Sequence, residues 1–239
     1  MSLLAAIAFL TRIPIRRAFS TEETARASAW FPLIGGLLGA LYAAIWFGAT
    51  RLVPAYVAAV LVLIAEALLT GALHFDGLAD TADGFGGGRT RDDVLRIMRD
   101  HAIGTYGAIA LALMLLLTAA CLVALKTPLL VAYWLIAGGA LGRWAIVLMS
   151  RALPYARLSN AVSAHIGTRE LILATVPVCA LGFLLRWQAL LAAALTLLVA
   201  IALGWYFRRR IGGVTGDTLG ATAQICETIV LLTGVVLTR

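Results

Sequence analysis

Apolar stretches of helix length follow one another along most of this chain, and no other feature constrains its fold as strongly. Read on a window of about 20 residues, the length that crosses a hydrocarbon core, they fall at Trp30–Thr50, Leu52–Leu73, Thr105–Leu125, Thr127–Met149, Leu171–Leu185, Trp187–Phe207 and Thr222–Thr238. None shows the strict polar–apolar alternation of a barrel strand, so the pattern is that of spanning helices. The fifth is short and holds Pro177, which predicts a kinked or incomplete span. Composition agrees: 62% of the residues are hydrophobic and 13% charged, against about 45–50% and about 25% in a soluble domain. The expectation is an all-α, polytopic membrane bundle of about seven transmembrane helices, one domain over residues 1–239. Before the first span, Leu3–Ile15 is apolar but broken by Arg12 and Pro14, too short to cross and suited to an interfacial or re-entrant helix. Met1–Leu10 has neither a basic leader nor a small-residue cleavage site, so no removable signal peptide is expected.

Charge placement orients the bundle. With the N-terminus in the cytoplasm, the inner side receives Arg12, Arg16, Arg17, Arg26, Arg89, Arg91, Arg96, Arg99, Arg143, Arg151, Arg157, Arg169, Arg208, Arg209 and Arg210, which is 15 of the 19 basic residues. The outer side keeps Arg51, Lys126, Arg186 and Arg239. This is the positive-inside asymmetry of a multi-pass protein of the bacterial inner membrane. It accounts for the net charge of +7 without nucleic acid as a partner. Cys121, Cys179 and Cys226 stand apart in apolar segments with no metal-type spacing. Small residues recur four apart at Gly35 and Gly39, at Gly138 and Gly142, and at Gly212, Gly216 and Gly220, a spacing that lets helix backbones approach closely.

The polar residues concentrate in two segments placed on the cytoplasmic side, 71–106 and 208–227. The first holds six of the chain's 12 acidic residues: Asp76, Asp80, Asp83, Asp92, Asp93 and Asp100. With His74–Gly84 taken as a helix continuing the second span, Asp76, Asp80 and Asp83 share one face at spacings of four and three, and Glu66 lies about 15 Å behind Asp76. Like charges at that spacing repel, so the cluster calls for a cation, and several carboxylate oxygens suit Mg²⁺ shared with substrate phosphates. Gly77 and Gly84 leave a neighbouring face open to another helix or to a phosphate. Gly86-Gly87-Gly88 can bend sharply and offer backbone N–H groups to an anion, and Arg89, Arg91, Arg96 and Arg99 can meet phosphate oxygens. Asp93, Arg96 and Asp100 share a helical face on which Asp100 adds a metal ligand or orients Arg96. His74 and His101 each have the chemistry of a general base, although a hydrogen-bonded structural histidine is the commoner outcome. Glu66 and Glu227 lie inside spans, where pairing and function explain an ionisable group equally well. Asp217, at the start of the last span in a glycine-rich turn, can complete the site from the far end of the chain. Arg143, Arg151 and Arg157 form a second basic group, and Trp30, Phe31, Tyr106, Trp144, Tyr155 and Tyr206 are aromatics placed near the inner surface. Together these features point to an Mg²⁺-dependent enzyme acting on a phosphate or pyrophosphate.

Five ordered motifs carry a resemblance. They are Phe9–Pro14, Phe31–Gly36, His74-Phe75-Asp76-Gly77-Leu78-Ala79-Asp80-Thr81-Ala82-Asp83, Ile97–Gly107, and Ile211–Gly220 followed by Glu227. The chain resembles the cobalamin synthase family, the adenosylcobinamide-GDP ribazoletransferases, from end to end. The resemblance implies a membrane-bound, Mg²⁺-dependent reaction. In it α-ribazole or α-ribazole 5′-phosphate attacks the phosphorus of adenosylcobinamide-GDP nearer the corrinoid, GMP leaves, and adenosylcobalamin or its 5′-phosphate forms. It also implies site roles: Asp76, Asp80, Asp83 and Asp100 catalytic, the first three holding the metal, with His74, Arg89, Arg96, Arg99, Gly104, Asp217 and Glu227 binding substrate. His101 matches a position at which the family often has Ser, so it is a poor catalytic candidate. Nothing in the sequence decides whether the bundle forms a homo-oligomer.

Rival readings fit less well. A CDP-alcohol phosphotransferase shares the chemistry, but here Asp76-Gly77-Leu78-Ala79 is followed by Asp80 instead of Arg, and the later Asp pair is missing. A membrane prenyltransferase requires a second Asp-rich loop. A transporter explains Glu66 and Glu227 but not the surface cluster of Asp and Arg.

Overall fold

The protein is described here by a computed structural model, which covers residues 2–157 and 165–238. Its described residues form a bundle of ten α-helices: α1 (Ser2–Leu10), α2 (Thr21–Ala27), α3 (Phe31–Ala49), α4 (Ala55–Thr70), α5 (Leu73–Gly87), α6 (Arg91–Ile97), α7 (Thr105–Ala124), α8 (Pro128–Ala152), α9 (Thr168–Ile211) and α10 (Gly216–Leu237). Five helical segments are long and apolar enough to cross a membrane, and the bent pair α4–α5 makes a sixth by the same measure. The chain is an all-α polytopic membrane protein; the count of seven expected from the sequence is not reached by this measure. Arg239, assigned to the outer side, lies outside the described residues.

α8 is the centre of the bundle, and its glycines explain why. On one face Gly139 meets the backbone of Gly35 in α3, and Gly39 meets the backbone of Leu135; a Cβ at any of these three would collide with a main chain. On another face Gly138 and Gly142 lie against Glu227 and Ala223 of α10. The spaced small residues therefore do let backbones approach, through different pairings on two sides of one helix. A buried hydrogen bond of 3.0 Å between Thr118 and Thr228 joins α7 to α10, as polar side chains do between helices where water is excluded.

Two expected segments take other forms. The residues assigned to separate fifth and sixth spans make one helical run of 44 residues, α9, which as a straight rod would extend about 66 Å. It is not straight. Thr168 accepts a hydrogen bond from Arg151 at 3.1 Å, while Gly204, 36 residues further on, lies against Leu153 and Met149. Both ends of α9 thus meet the same end of α8, and Gly182 packs on Leu190 where the run folds back. The second difference is that α5 does not continue α4. Gly71 and Ala72 both adopt left-handed conformations, φ +64° and +57°, and the chain turns by 92° between the two helices. Gly71 caps α4 with its N–H on the Ala67 carbonyl, a common helix ending. The 15 Å offset between Glu66 and Asp76, which presumed one straight helix, therefore does not apply.

The polar end of the bundle is stitched together by backbone. Ala156 N–H donates to the Val214 carbonyl (2.8 Å) and Val214 N–H to the Pro154 carbonyl (2.9 Å), which fixes the chain before α10 to the chain after α8. Arg91 donates to the carbonyls of Ile211 (2.9 Å) and Ala156 (2.7 Å), and Arg210 to those of Gly88 (2.9 Å) and Phe85 (3.3 Å).

The close glycine contacts make a prediction. Gly139→Leu must push α3 off α8, costing about 1–3 kcal/mol as overpacking does. Gly48→Leu is neutral, because a Cβ at Gly48 would meet no atom within 4 Å. Thermal unfolding in detergent measures both.

Candidate active site

The site is built where α5 crosses the start of α10. A Cβ on Gly77 would lie 2.7 Å from the Asp217 carbonyl oxygen. A Cβ on Gly220 would in turn lie 3.4–3.5 Å from backbone atoms of Leu73, His74 and Gly77, an ordinary contact. The open face beside Gly77 is thus filled by a helix, and this packing sets Asp217 beside the carboxylates of α5. Gly84 is likewise covered, by Met98 and Val94.

A cavity of about 380 Å³ opens at this crossing. Phe9, Phe31, Leu73, Ile146, Ile166 and Leu219 give it apolar walls, with Tyr155; Asp76, Asp217, His74 and Ser150 are its polar side chains. The rings of Phe9 and Phe31 stack with centroids 5.3 Å apart. Asp217 is held by Arg157 at 2.8 Å. Asp80, beyond the 92° bend and in the segment placed on the cytoplasmic side, lies within the field of Asp76, Asp217 and Asp83. Burial, then these three carboxylates in that order, push its carboxyl up to about 6 from the ordinary value, with Arg157 opposing.

The three aspartates of α5 do not act alike. Asp83 is buried, and its two oxygens accept from the backbone N–H groups of Gly104 (2.7 Å) and Gly107 (2.8 Å). It caps the start of α7, satisfying N–H groups that have no partner inside the helix. Asp76 is exposed and Asp80 partly so, and neither has a cation partner among the described ion pairs. No three His, Cys, Asp or Glu side chains among the described residues are close enough to hold a metal ion together. Mg²⁺, however, ordinarily takes one or two carboxylates and completes its shell with substrate oxygens and water. Asp80 is raised first by burial and then by the neighbouring carboxylates, and an ion shared with substrate oxygens would offset the second of these.

The other expected site residues are dispersed. Arg89, Arg96 and Arg99 are exposed and do not line the cavity. Arg96 pairs with Asp93 at 3.8 Å, and Asp93 forms a capping box with Thr90 at the start of α6. Asp100 lies beyond the end of α6, where it accepts from the Ala102 N–H at 3.1 Å; it is not on a shared helical face with Arg96. The glycine bend does not form either: Gly86 and Gly87 are helical, and the Gly88 N–H is spent on the Gly84 carbonyl. Arg91 is committed to the carbonyls described above. Arg143, placed by its sequence position at the inner surface with Arg151 and Arg157, is instead fully buried in the bundle and paired with Glu227. That pairing settles Glu227 as the partner of an interior charge. Of the six candidate aromatics, Phe31 and Tyr155 line the cavity. Trp144 donates to Thr175 of α9, and Tyr206 packs on Phe85. Ser150 and Ile166 escaped the sequence reading because an isolated serine and isoleucine in apolar segments carry no signal; Phe9 was visible only within its motif.

The fold and site define a class: a polytopic helical membrane enzyme with carboxylates gathered around a cavity at one end of its bundle. Comparison makes the class particular. A family model described as cobalamin-5-phosphate synthase matches residues 2–236, and the chain belongs to that family, a transferase of cobalamin biosynthesis. A Shewanella frigidimarina protein called adenosylcobinamide-GDP ribazoletransferase is 42% identical, across 93% of this chain and 89% of its own length. Proteins of the same description from Ralstonia nicotianae (42%, covering 96% and 93%) and Azorhizobium caulinodans (41%, covering 98% and 94%) are similarly close. No solved structure gives a significant match.

The two roles of the aspartates separate by stability. Asp83→Ala orphans two buried N–H groups at about 1–3 kcal/mol each and is expected to lower the melting temperature clearly. Asp76→Ala removes an exposed carboxylate and is expected to leave it nearly unchanged without metal. A thermal melt of both variants in EDTA checks this.

Proposed function

We propose that this protein joins adenosylcobinamide-GDP to α-ribazole or α-ribazole 5′-phosphate, with Mg²⁺, at the crossing of α5 and α10. A ribose hydroxyl of the nucleophile other than the 5′ one, so that a 5′-phosphate is carried intact into the product, bonds to the phosphorus nearer the corrinoid, and the bond from that phosphorus to the oxygen of the GMP phosphate breaks. GMP leaves with the bond's electrons. The proton of that hydroxyl passes to a carboxylate of the cluster.

The observation that carries this reading is the two-sided cavity, with apolar and aromatic walls and Asp76 and Asp217 among its polar side chains. Its volume of about 380 Å³ is near the lower end of the about 300–1,000 Å³ range of small-molecule pockets. That is the scale of a nucleoside such as α-ribazole and too small for a corrin ring carrying a nucleotide. The aromatic and aliphatic walls receive the flat base, the acidic end meets the reacting ribose hydroxyl, and the corrinoid remains outside the cavity. Pyrophosphate is repelled by Asp76, Asp80 and Asp217 unless a cation lies between them, which supports Asp76 and Asp80 as the holders of Mg²⁺. When bound, Mg²⁺ neutralises charge on the pyrophosphate and on the leaving GMP. Arg157 keeps Asp217 in place beside the cavity. With Arg143 set aside as buried, 14 of the 19 basic residues remain on the sides of the chain assigned inward, which supports a cytoplasm-facing site.

Purified protein in detergent with both substrates and Mg²⁺ is expected to release GMP and form the new corrinoid, followed by chromatography. EDTA is expected to abolish the reaction, and Asp80→Asn to slow it about 100-fold or more. GMP release unaffected by EDTA contradicts the metal assignment. No GMP from folded protein contradicts the reaction.

A further inference from the structure

We propose that His74 touches the substrate, donating a hydrogen bond from Nε2 to a phosphoryl oxygen, and that Arg143 is the positioning residue that sets its tautomer. His74 is 3% exposed, in the first turn of α5, and lines the cavity. Its Nδ1 lies 3.3 Å from Nη2 of Arg143. A guanidinium has donors and no acceptor, so Nδ1 must be the accepting nitrogen, and the ring proton sits on Nε2. Arg143 is held in turn by Glu227 of α10, both of them buried. The order of contacts is therefore Glu227, Arg143, His74, cavity.

Nε2 is buried and has no hydrogen-bond partner among the described residues. A buried N–H is rarely left without an acceptor, and a purely structural histidine would have used both nitrogens. The neighbouring acidic side chains of the cavity, Asp76 and Asp217, bring only acceptor oxygens, so the N–H of His74 supplies what a phosphoryl oxygen needs. The same geometry removes His74 as a general base, because its only free nitrogen already carries the proton. The nature of the acceptor rests on the reaction proposed above; the tautomer does not. The oxygen can belong to the pyrophosphate of one substrate or the 5′-phosphate of the other.

The chain has three histidines, so the protein labelled with ¹⁵N-histidine gives few signals, and His74→Gln identifies that of His74. The expected spectrum has protonated Nε2 and bare Nδ1; the reverse tautomer overturns the proposal. Adding pyrophosphate with Mg²⁺ is expected to shift the Nε2–H resonance, and an unmoved resonance also overturns it. In turnover, His74→Gln places an amide nitrogen where Nε2 was and is expected to stay within about threefold of the wild type, whereas His74→Asn places it at Nδ1 and loses about 100-fold in kcat, as loss of one preorganised donor does. Equal losses in the two variants contradict the assignment. A loss seen with both α-ribazole and its 5′-phosphate assigns the pyrophosphate; a loss confined to the phosphorylated nucleophile assigns the 5′-phosphate. Should the wild type release no GMP, the proposed reaction fails, while the spectra still decide the donor.

Discussion

The crossing of α5 over α10, at Gly77 and Gly220, is the contact on which the site depends. Without a side chain at Gly77, the first turn of α10 reaches the backbone of α5, and Asp217 arrives beside Asp76 and Asp80 from the far end of the chain. The crossing is possible because α5 leaves α4 at 92°, so that it meets the bundle as a lintel across its end instead of rising out of it. Two left-handed residues make that turn, one of them the non-glycine Ala72, a conformation that costs about 1–2 kcal/mol and persists because both flanking helices are packed. Asp83 secures the far half of α5 by capping α7, and Arg210 secures its end.

A second constraint runs through the middle of the bundle. Placing Arg143, Glu227, Glu66 and His74 where no water reaches is expensive, and ionisable groups in such positions face inward and find one another. Here the pairing of Arg143 with Glu227 joins α8 to α10, and the contact of Arg143 with His74 joins α8 to α5. The charged group therefore connects three of the helices that line the cavity. Replacing it with apolar residues could preserve the packing, but would release the His74 ring from its defined orientation. The bundle keeps an interior charge and gains a fixed donor at the cavity.

The fold was legible wherever the sequence spoke through hydrophobic length. The stretches expected at Trp30–Thr50, Thr105–Leu125 and Thr127–Met149 agree with α3, α7 and α8 to within a few residues, because an apolar run of that length in a membrane has one available conformation. The bend at Gly71 was hidden because helix periodicity continues smoothly from α4 into α5, and only a backbone angle distinguishes a straight helix from a broken one. In the site, the carboxylates of α5 and Asp217 were visible as charges too dense for their surroundings. The different employment of Asp83 was not, since a capping carboxylate and a metal-holding carboxylate are the same residue at the same spacing. The arginines misled for a similar reason. Arg91 looks like a phosphate ligand in a sequence, yet it satisfies carbonyls at the end of the bundle, and Arg143 looks like an inner-surface charge until its partner Glu227 is placed beside it.

The central claim is that the cavity at this crossing holds the nucleoside substrate during transfer, and photoaffinity labelling tests it most directly. An α-ribazole carrying a photoreactive group on its base, irradiated with the Mg²⁺-loaded protein and mapped by mass spectrometry, is predicted to label the apolar walls at Phe9, Phe31 or Tyr155, with unmodified α-ribazole competing the label away. Competed labelling on the exposed face of α6, around Arg96 and Arg99, would place the nucleoside elsewhere and contradict the account.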